Sequence, residues 1–308
     1  MSYSRHPEVG LEKFTGLFGK TRQGYYYRMR ASTQREEINA EVVSRVVEER
    51  KRMPKLGGRK LYSKLKPELK KDNIKIGRDK FFEILRGSEM LVKRNRNYMR
   101  TTNSRHRFKK YPNLIKEIRI ERAEQVWVSD ITYLTTPKHK FYYLSLVTDA
   151  YTKKIVGYKL SQTLEAMSTL QALRMAIKLR RGTDGLIHHS DRGNQYCSYA
   201  YVETLEQNGI GISMTEKGDP YENAIAERVN GILKNELGIS IVDDKFERAE
   251  RMVKEAIITY NTQRPHLSCG MLTPEEAHTK GINLKKMWKS YPNRRARIIN
   301  GLDKLSTS

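Results

Sequence analysis

Strand-type and helix-type runs follow one another through the middle of this 308-residue chain in an order that few folds accommodate. Val126 to Leu134, Phe141 to Thr148 and Lys154 to Leu160 are apolar and β-rich, and the DAYTKK stretch between the last two reads as a hairpin turn. Leu164 to Leu179 then changes period. The run reads as an amphipathic helix carrying Leu164, Met167, Leu170, Leu173, Met175 and Ile177. Leu186 to His189 is a short buried strand, Ala200 to Gln207 a helix, Ile210 to Met214 a fifth strand and Ala224 to Leu237 a further helix. Strands, a crossover helix and more strands in this order imply a mixed α/β sheet covered on both faces. In such sheets, reactive groups gather at strand ends.

Three acids occupy such places. Asp130 lies in VWVSDITYL, Asp191 in LIHHSDRGNQY and Glu227 in ENAIAERVNGILKNE. Sixty residues separate the first pair and thirty-five the second. An unpaired carboxylate inside an apolar strand is costly unless a metal or a hydrogen-bond donor meets it. Two strand-borne aspartates and a helix-borne glutamate can converge into an oxygen-only pocket for a pair of divalent metals, a device that cuts and joins phosphodiesters. At 3.6 residues per turn, Asn223, Asn230 and Lys234 fall near the face of Glu227, while Ile225, Val229 and Ile232 are placed to pack that helix on the sheet. Taken singly, each acid is more often a solvated charge or a cap; it is the set that suggests chemistry.

Charge is segregated along the chain. Residues 1–110 hold 30 Lys and Arg against 12 Asp and Glu, residues 111–279 hold 21 against 22, and residues 280–308 hold 8 against 1. A near-neutral middle between basic arms suits a protein that holds a polyanion beside a catalytic core, whereas a surface kept basic only for solubility needs no such division. The only cysteines, Cys197 and Cys269, are far apart, which argues against a disulfide framework and against a Cys/His zinc module. No apolar run reaches the length of a membrane span, and MSYSRHPEVG lacks the apolar core of a secretory signal. A soluble, cytoplasmic protein is expected.

The expected organisation has five parts. Residues 1–33 form a short helical segment, in which Tyr25, Tyr26 and Tyr27 either stack on bases or pack within the helical unit. Residues 34–95 form a small all-α unit of three helices. The first is 34–53, with Ile38, Val42, Val43, Val46 and Val47 at helical spacing; the second carries Leu61 and Leu65 and is punctuated by Pro67. The third runs from Gly77 to Arg86, with Phe81, Ile84 and Leu85 inward. Short helices with tight turns and a basic exterior suggest a helix-turn-helix DNA-binding domain, with Arg78 and Lys80 near the start of its recognition helix; a generic three-helix bundle has the same periodicity. Residues 96–111 are a basic linker, 112–279 the catalytic core and 280–308 a basic tail.

The segments WVSDITYL, HHSDRGNQYCS, GDPYENAIAERVNGILKNEL and YNTQRPHLSCGMLTPEEA resemble, in this order, the signatures of bacterial insertion-sequence transposases. The likeness is to the catalytic second-reading-frame proteins of the insertion-sequence-three family, relatives of retroviral integrases, and it spans roughly residues 11 to 278. It implies a ribonuclease-H-like fold in which Asp130, Asp191 and Glu227 hold two Mg²⁺ or Mn²⁺ ions. It also implies 3′-end cleavage of the element followed by strand transfer into target DNA through a circular intermediate. Lys234, seven residues beyond Glu227 as in the family, joins Asn223 and Asn230 as expected DNA contacts. Arg192 is either a phosphate contact or a structural ion pair. His188 and His189 have the chemistry of metal ligands, but one of them is expected to alternate into the strand core instead, and Arg264 and His266 read better as packing and capping residues than as braces of the site.

The resemblance further implies partners: DNA, a homo-oligomer in the active complex and no membrane. Residues 1–33 show neither a sustained heptad nor a full end-binding domain, so an upstream-frame protein, separate or fused, is expected to supply them. Two other classes compete, a DNA-binding regulator with a vestigial core and a nuclease that hydrolyses without joining.

Overall fold

The structure, a computed structural model, describes residues 10–92, 107–182, 185–216 and 223–285. The chain divides into two compact units, one from Met1–Lys51 with Leu56–Arg94 and the other from Arg52–Lys55 with Asn95–Ser308. Most of the expected 96–111 linker and of the 280–308 tail lies outside the described residues.

The first unit is all helical. It comprises α1 (Leu11–Gly16), α2 (Arg22–Arg52), α3 (Gly58–Lys71) and α4 (Arg78–Gly87). Val42 and Val46 of α2, Leu61, Leu65 and Leu69 of α3, and Phe81, Ile84 and Leu85 of α4 are buried. Arg50 closes the unit from α2 by donating to the Met90 carbonyl at 2.7 Å. Two sequence expectations change here. The aromatic-basic helix and the 34–53 helix are one continuous 31-residue helix, because nothing between Tyr27 and Ile38 breaks the backbone pattern. Pro67 does not end α3: the helix continues to Lys71, and Leu69 adds a third buried leucine at i+4 spacing, packing that outweighs one missing backbone hydrogen bond.

The second unit is a five-stranded sheet built from β1 (Val126–Thr135), β2 (Phe141–Asp149), β3 (Ile155–Ser161), β4 (Ile187–Ser190) and β5 (Gly211–Met214). The strand order is β3-β2-β1-β4-β5. β1, β2 and β3 form an antiparallel meander, and β4 and β5 run parallel to β1. Around it lie α5 (Ala166–Leu179), α6 (Asn194–Cys197), α7 (Tyr199–Gln207), α8 (Ala224–Asn235), α9 (Phe246–Thr262) and α10 (Pro274–Lys280). A three-stranded meander continued by crossover-linked parallel strands is the ribonuclease-H-like arrangement, as expected.

Alternation along β1 sorts the two faces. Trp127 enters a core with Leu170 and Leu173 of α5 and Tyr201 and Leu205 of α7, while Val126 and Val128 pack with Ala226 of α8. The β2–β3 turn is held by Asp149, whose Oδ1 accepts from the Tyr151 and Thr152 amides and the Thr152 hydroxyl. Crossover helix α5 lies very close to β3. A Cβ at Gly157 would stand 2.1 Å from the Ala172 carbonyl oxygen, so only glycine fits there.

Candidate active site

Asp130 sits midway along β1, two residues beyond Val128, so its side chain follows the parity of the face that α8 covers. Its Oδ1 accepts the Ile131 amide at 2.9 Å and its Oδ2 accepts Asn230 Nδ2 at 2.7 Å. Asp191 directly follows β4, the parallel neighbour of β1, and its Oδ1 accepts the Gly193 amide at 2.9 Å, which fixes the carboxylate in a tight turn. Glu227 lies exposed in the first turn of α8.

Asp130 feels the charge of the other two acids. Burial raises Asp130 from the ordinary carboxylate range to about 7; the negative charges of Asp191 and then Glu227 add to the rise, and the Ile131 and Asn230 donors oppose it. The acids are gathered within electrostatic reach rather than ligand reach: among the described residues, no three His, Cys, Asp or Glu side chains are close enough as they lie to hold one ion. The donor chemistry nonetheless fits a hard divalent cation. Clustered carboxylates that repel one another are what such a cation neutralises. The Oδ1 atoms of Asn223 and Asn230 are buried with no hydrogen-bond partner among the described residues, acceptors suited to water held on such an ion.

The helix that carries Glu227 is docked on β1 by two amides. Asn223, immediately before α8, donates to the Ser129 carbonyl at 3.1 Å, and Asn230 donates to Asp130. Both asparagines are buried, on the side of α8 that also carries Ala226 and Leu233. Lys234, one turn further along, is half-buried with its Nζ 4.3 Å from the centroid of the Tyr133 ring. Its pKa is lowered by burial, and the nearby Asp130 charge opposes that shift.

Comparison with known proteins bears on the same stretch. Two models described as integrase core domain match residues 121–220 and 208–274. The insertion element IS600 uncharacterized 31 kDa protein of Shigella sonnei is 34% identical over 262 residues, covering 84% of this chain and 94% of that protein. The transposase for insertion sequence element IS904 of Lactococcus lactis is 35% identical over 187 residues, covering 56% of this chain and 72% of the relative. The chain belongs to the insertion-sequence transposase family with an integrase core. Among solved structures, the HTLV-2 integrase catalytic core domain in complex with magnesium aligns at 20% identity with a TM-score of 0.39, covering 50% of this chain and 96% of that one.

Within this transposase, the remaining sequence-singled residues separate. His188 is buried, with the Ser129 hydroxyl at 2.7 Å and the Tyr201 hydroxyl at 2.9 Å from its Nε2, and burial pushes its pKa down to about 3. It is therefore neutral and part of the core. His189 is also buried, its Nδ1 2.8 Å from the Ser213 hydroxyl. Arg192 is half-buried in the turn that follows Asp191. Arg264 makes a two-pronged ion pair with Glu236 just after α8, both nitrogen–oxygen distances being 3.0 Å, and His266 lies 3.2 Å from the Tyr260 hydroxyl. In the helical unit, Arg78 pairs with Asp79 and Lys80 with Glu83, all four side chains remaining well exposed. No helix among the described residues is long and apolar enough to cross a membrane. Tyr133, the partner of Lys234, reads in the sequence only as a strand residue three positions after Asp130, with nothing there to mark it as a neighbour of the site.

Proposed function

We propose that the protein is a DNA transposase subunit that cleaves the 3′ ends of an insertion sequence and joins them to target DNA. In cleavage, water attacks the scissile phosphorus, the bond to the element's 3′ oxygen breaks, and a 3′ hydroxyl is left. In strand transfer that hydroxyl attacks a target phosphodiester, one phosphorus–oxygen bond replaces another, and no external energy source is required. The observation that supports this reading is that the charges of Asp191 and Glu227 both reach the buried Asp130 carboxylate in a chain of this family.

Asp130, Asp191 and Glu227 are the residues that would hold Mg²⁺ or Mn²⁺, and two such ions, when bound, activate the attacking oxygen and stabilise the leaving one. The Ile131 amide and Asn230 aim the Asp130 carboxylate, and the Gly193 amide aims Asp191. Glu227, on the exposed rim, completes the set by side-chain rotation toward the sheet. Lys234 brings a cation beside the acids, where a phosphate of the element end can meet it, and Arg192 stands in the adjoining turn. Asn223 and Asn230 keep α8 in place and offer their amide oxygens to the bound DNA complex. In the helical unit, exposed Arg78 and Lys80 exchange weak surface acid partners for DNA phosphates. The active assembly is a homo-oligomer on DNA, joined by an upstream-frame protein that supplies end recognition, in the bacterial nucleoid.

Labelled element ends incubated with the protein, Mg²⁺ and a plasmid target test the reading. Joined products are expected from the parent, and Asp130→Asn, Asp191→Asn and Glu227→Gln should each abolish cleavage and joining while sparing DNA binding. Joining at the parental rate by any of the three would refute the assignment, and hydrolysis without joining would favour a nuclease.

A further inference from the structure

Tyr199, the first residue of α7, is 84% exposed. A lone exposed aromatic is ordinary surface, but this one is neither lone nor loose. Its ring meets that of Phe108 edge to face, with centroids 5.8 Å apart and an interplanar angle of 81°. Phe108 in turn is half-buried and, with Tyr111, packs against the core that contains Trp127 and Tyr201. The contact props the tyrosine in place and leaves most of its surface open to water.

The segment that brings Phe108 there is strongly basic, and Arg107, Lys109 and Lys110 are all exposed. Lys109 Nζ lies 5.0 Å from the centroid of the Tyr111 ring, which keeps the ammonium on the surface of the unit. The segment is moored to edge strand β5. The Met214 amide donates to the Pro112 carbonyl at 3.2 Å, and the Leu114 amide donates to the Ser213 hydroxyl at 2.9 Å. Residues that read in sequence as the end of a tether thus form a fixed ridge of cations interleaved with rings.

The ridge stands at the end of the sheet that carries Asp191. Met214 is the register partner of Ser190, the residue before Asp191, so Pro112 lies two strand spacings, about 10 Å, from that point. The Cys197 thiol, at the end of α6, meets Met214 Sδ at 3.6 Å, which brings the start of α7 to the same place. The ridge belongs to the α7 side of the sheet and Asp130 to the α8 side, so a strand reaches it by crossing the ends of β4 and β5. The acids of α7, Glu203 and Glu206, lie one and two turns beyond Tyr199, and Glu203 accepts from Gln207 at 3.1 Å. Cations interleaved with aromatic rings suit a single nucleic-acid strand, whose phosphates meet the cations and whose bases offer faces to the rings. In a duplex those faces are already stacked, so the base that fits Tyr199 is an unpaired one.

We propose that Tyr199, with Lys109 and Lys110, is a binding site for an unpaired nucleotide of a DNA strand, the base stacking on the tyrosine ring and the flanking phosphates meeting the two lysines. The site rests on the DNA-joining reading above and goes beyond it, since none of the three residues holds metal or touches the reacting phosphate.

Titration of the full chain with a duplex bearing a short single-stranded extension that contains a fluorescent adenine analogue, beside the fully paired duplex, tests this. Stacking on Tyr199 should quench the analogue. Tyr199→Ala should abolish the quench and weaken binding of the extended duplex by about 5-fold or more, with affinity for the paired duplex and the unfolding temperature at parental values. Tyr199→Trp should keep both quench and affinity. Lys109→Ala/Lys110→Ala should lower the slope of log affinity against log salt by about 1.4 on the extended duplex, as two single-strand phosphate contacts require. An unchanged slope would overturn the role of the lysines. Parental quench and affinity in Tyr199→Ala, with the parent binding normally, would overturn the site alone. An equal loss on both DNAs would show that the ring serves something other than an unpaired base, and also overturn it. A parent that binds neither DNA would overturn the DNA-joining reading and this site with it.

Discussion

Asn230 Nδ2 lies 2.7 Å from Asp130 Oδ2, although the two residues are 100 positions apart in the chain. This contact ties the helix that carries Glu227 to the strand that carries Asp130, and it spends one carboxylate lone pair on orientation. Replacing Asn230 with Ala should therefore lower DNA cleavage by roughly 10–100-fold while DNA affinity stays near parental. Single-turnover cleavage at saturating protein, read beside a binding isotherm, separates the two. A loss confined to binding would show that Asn230 acts on DNA directly.

Asp130 gives the metal-free protein a defined pH dependence. Its pKa is raised to about 7 in the folded state, chiefly by burial, against about 3.9 for an unfolded chain. The folded protein therefore binds this proton more tightly than the unfolded one, and stability falls as pH rises from about 4 to about 7, then levels. Asp130→Asn, which cannot ionise, should be more stable than the parent at pH 8 by on the order of 1–3 kcal/mol and close to it near pH 4. Urea unfolding in chelator at the two pH values measures the difference, and a variant less stable at pH 8 contradicts the assignment.

Metal should displace that proton. Mg²⁺ titrations at pH 6.5 in two buffers of different ionisation enthalpy are expected to show proton release, with affinity rising as pH passes 7. Asp130→Asn should abolish the buffer dependence. Equal heats in both buffers for the parent would place the proton elsewhere.

Arg264 is 1% exposed and anchors Glu236 through two hydrogen bonds. Arg264→Ala removes both of these charge-assisted hydrogen bonds from a partly buried carboxylate and should destabilise the protein by about 2–4 kcal/mol. Denaturant unfolding of the pair Arg264→Ala and Arg264→Ala/Glu236→Gln checks the cause, since the second change should restore part of the loss.

Arg78 and Lys80 predict a salt effect. If both meet phosphates, the double alanine variant should reduce the slope of log affinity against log salt by about 2 and weaken binding evenly across DNA sequences. An unchanged slope would leave the helical unit without its proposed contacts.

Local pattern carried much of the core. The β1 to β5 runs were legible because β-branched and aromatic residues cluster between turn residues, and α5 because its apolar residues keep a 3.6 period. Reading by apolar periodicity stops at Pro67 and breaks α2 near residue 33, since neither a missing donor nor a polar surface stretch reveals that neighbouring turns are supported by tertiary packing. It also passes over α10, which is too short for a period. The capping box of Thr273 and Glu276, with Pro274 between them, was the signal that announced it.

The candidate site was legible as a set of residue types and not as a set of roles. Asn223, Asn230 and Lys234 could be placed near the Glu227 face from helical geometry, but their partners, Ser129, Asp130 and Tyr133, belong to a strand about 100 residues earlier. His188 offered metal-ligand chemistry on paper and became a neutral core group once Ser129 and Tyr201 met it.

By itself, the sequence determined the order of strands and helices, the three acids and the family, because each is written in local period, residue type and spacing. Only the tertiary structure decided which acid is desolvated and which amides orient it. Those properties depend on burial and on distances across elements remote in the chain. Both electrostatic strength and hydrogen bonding change steeply over a few ångströms.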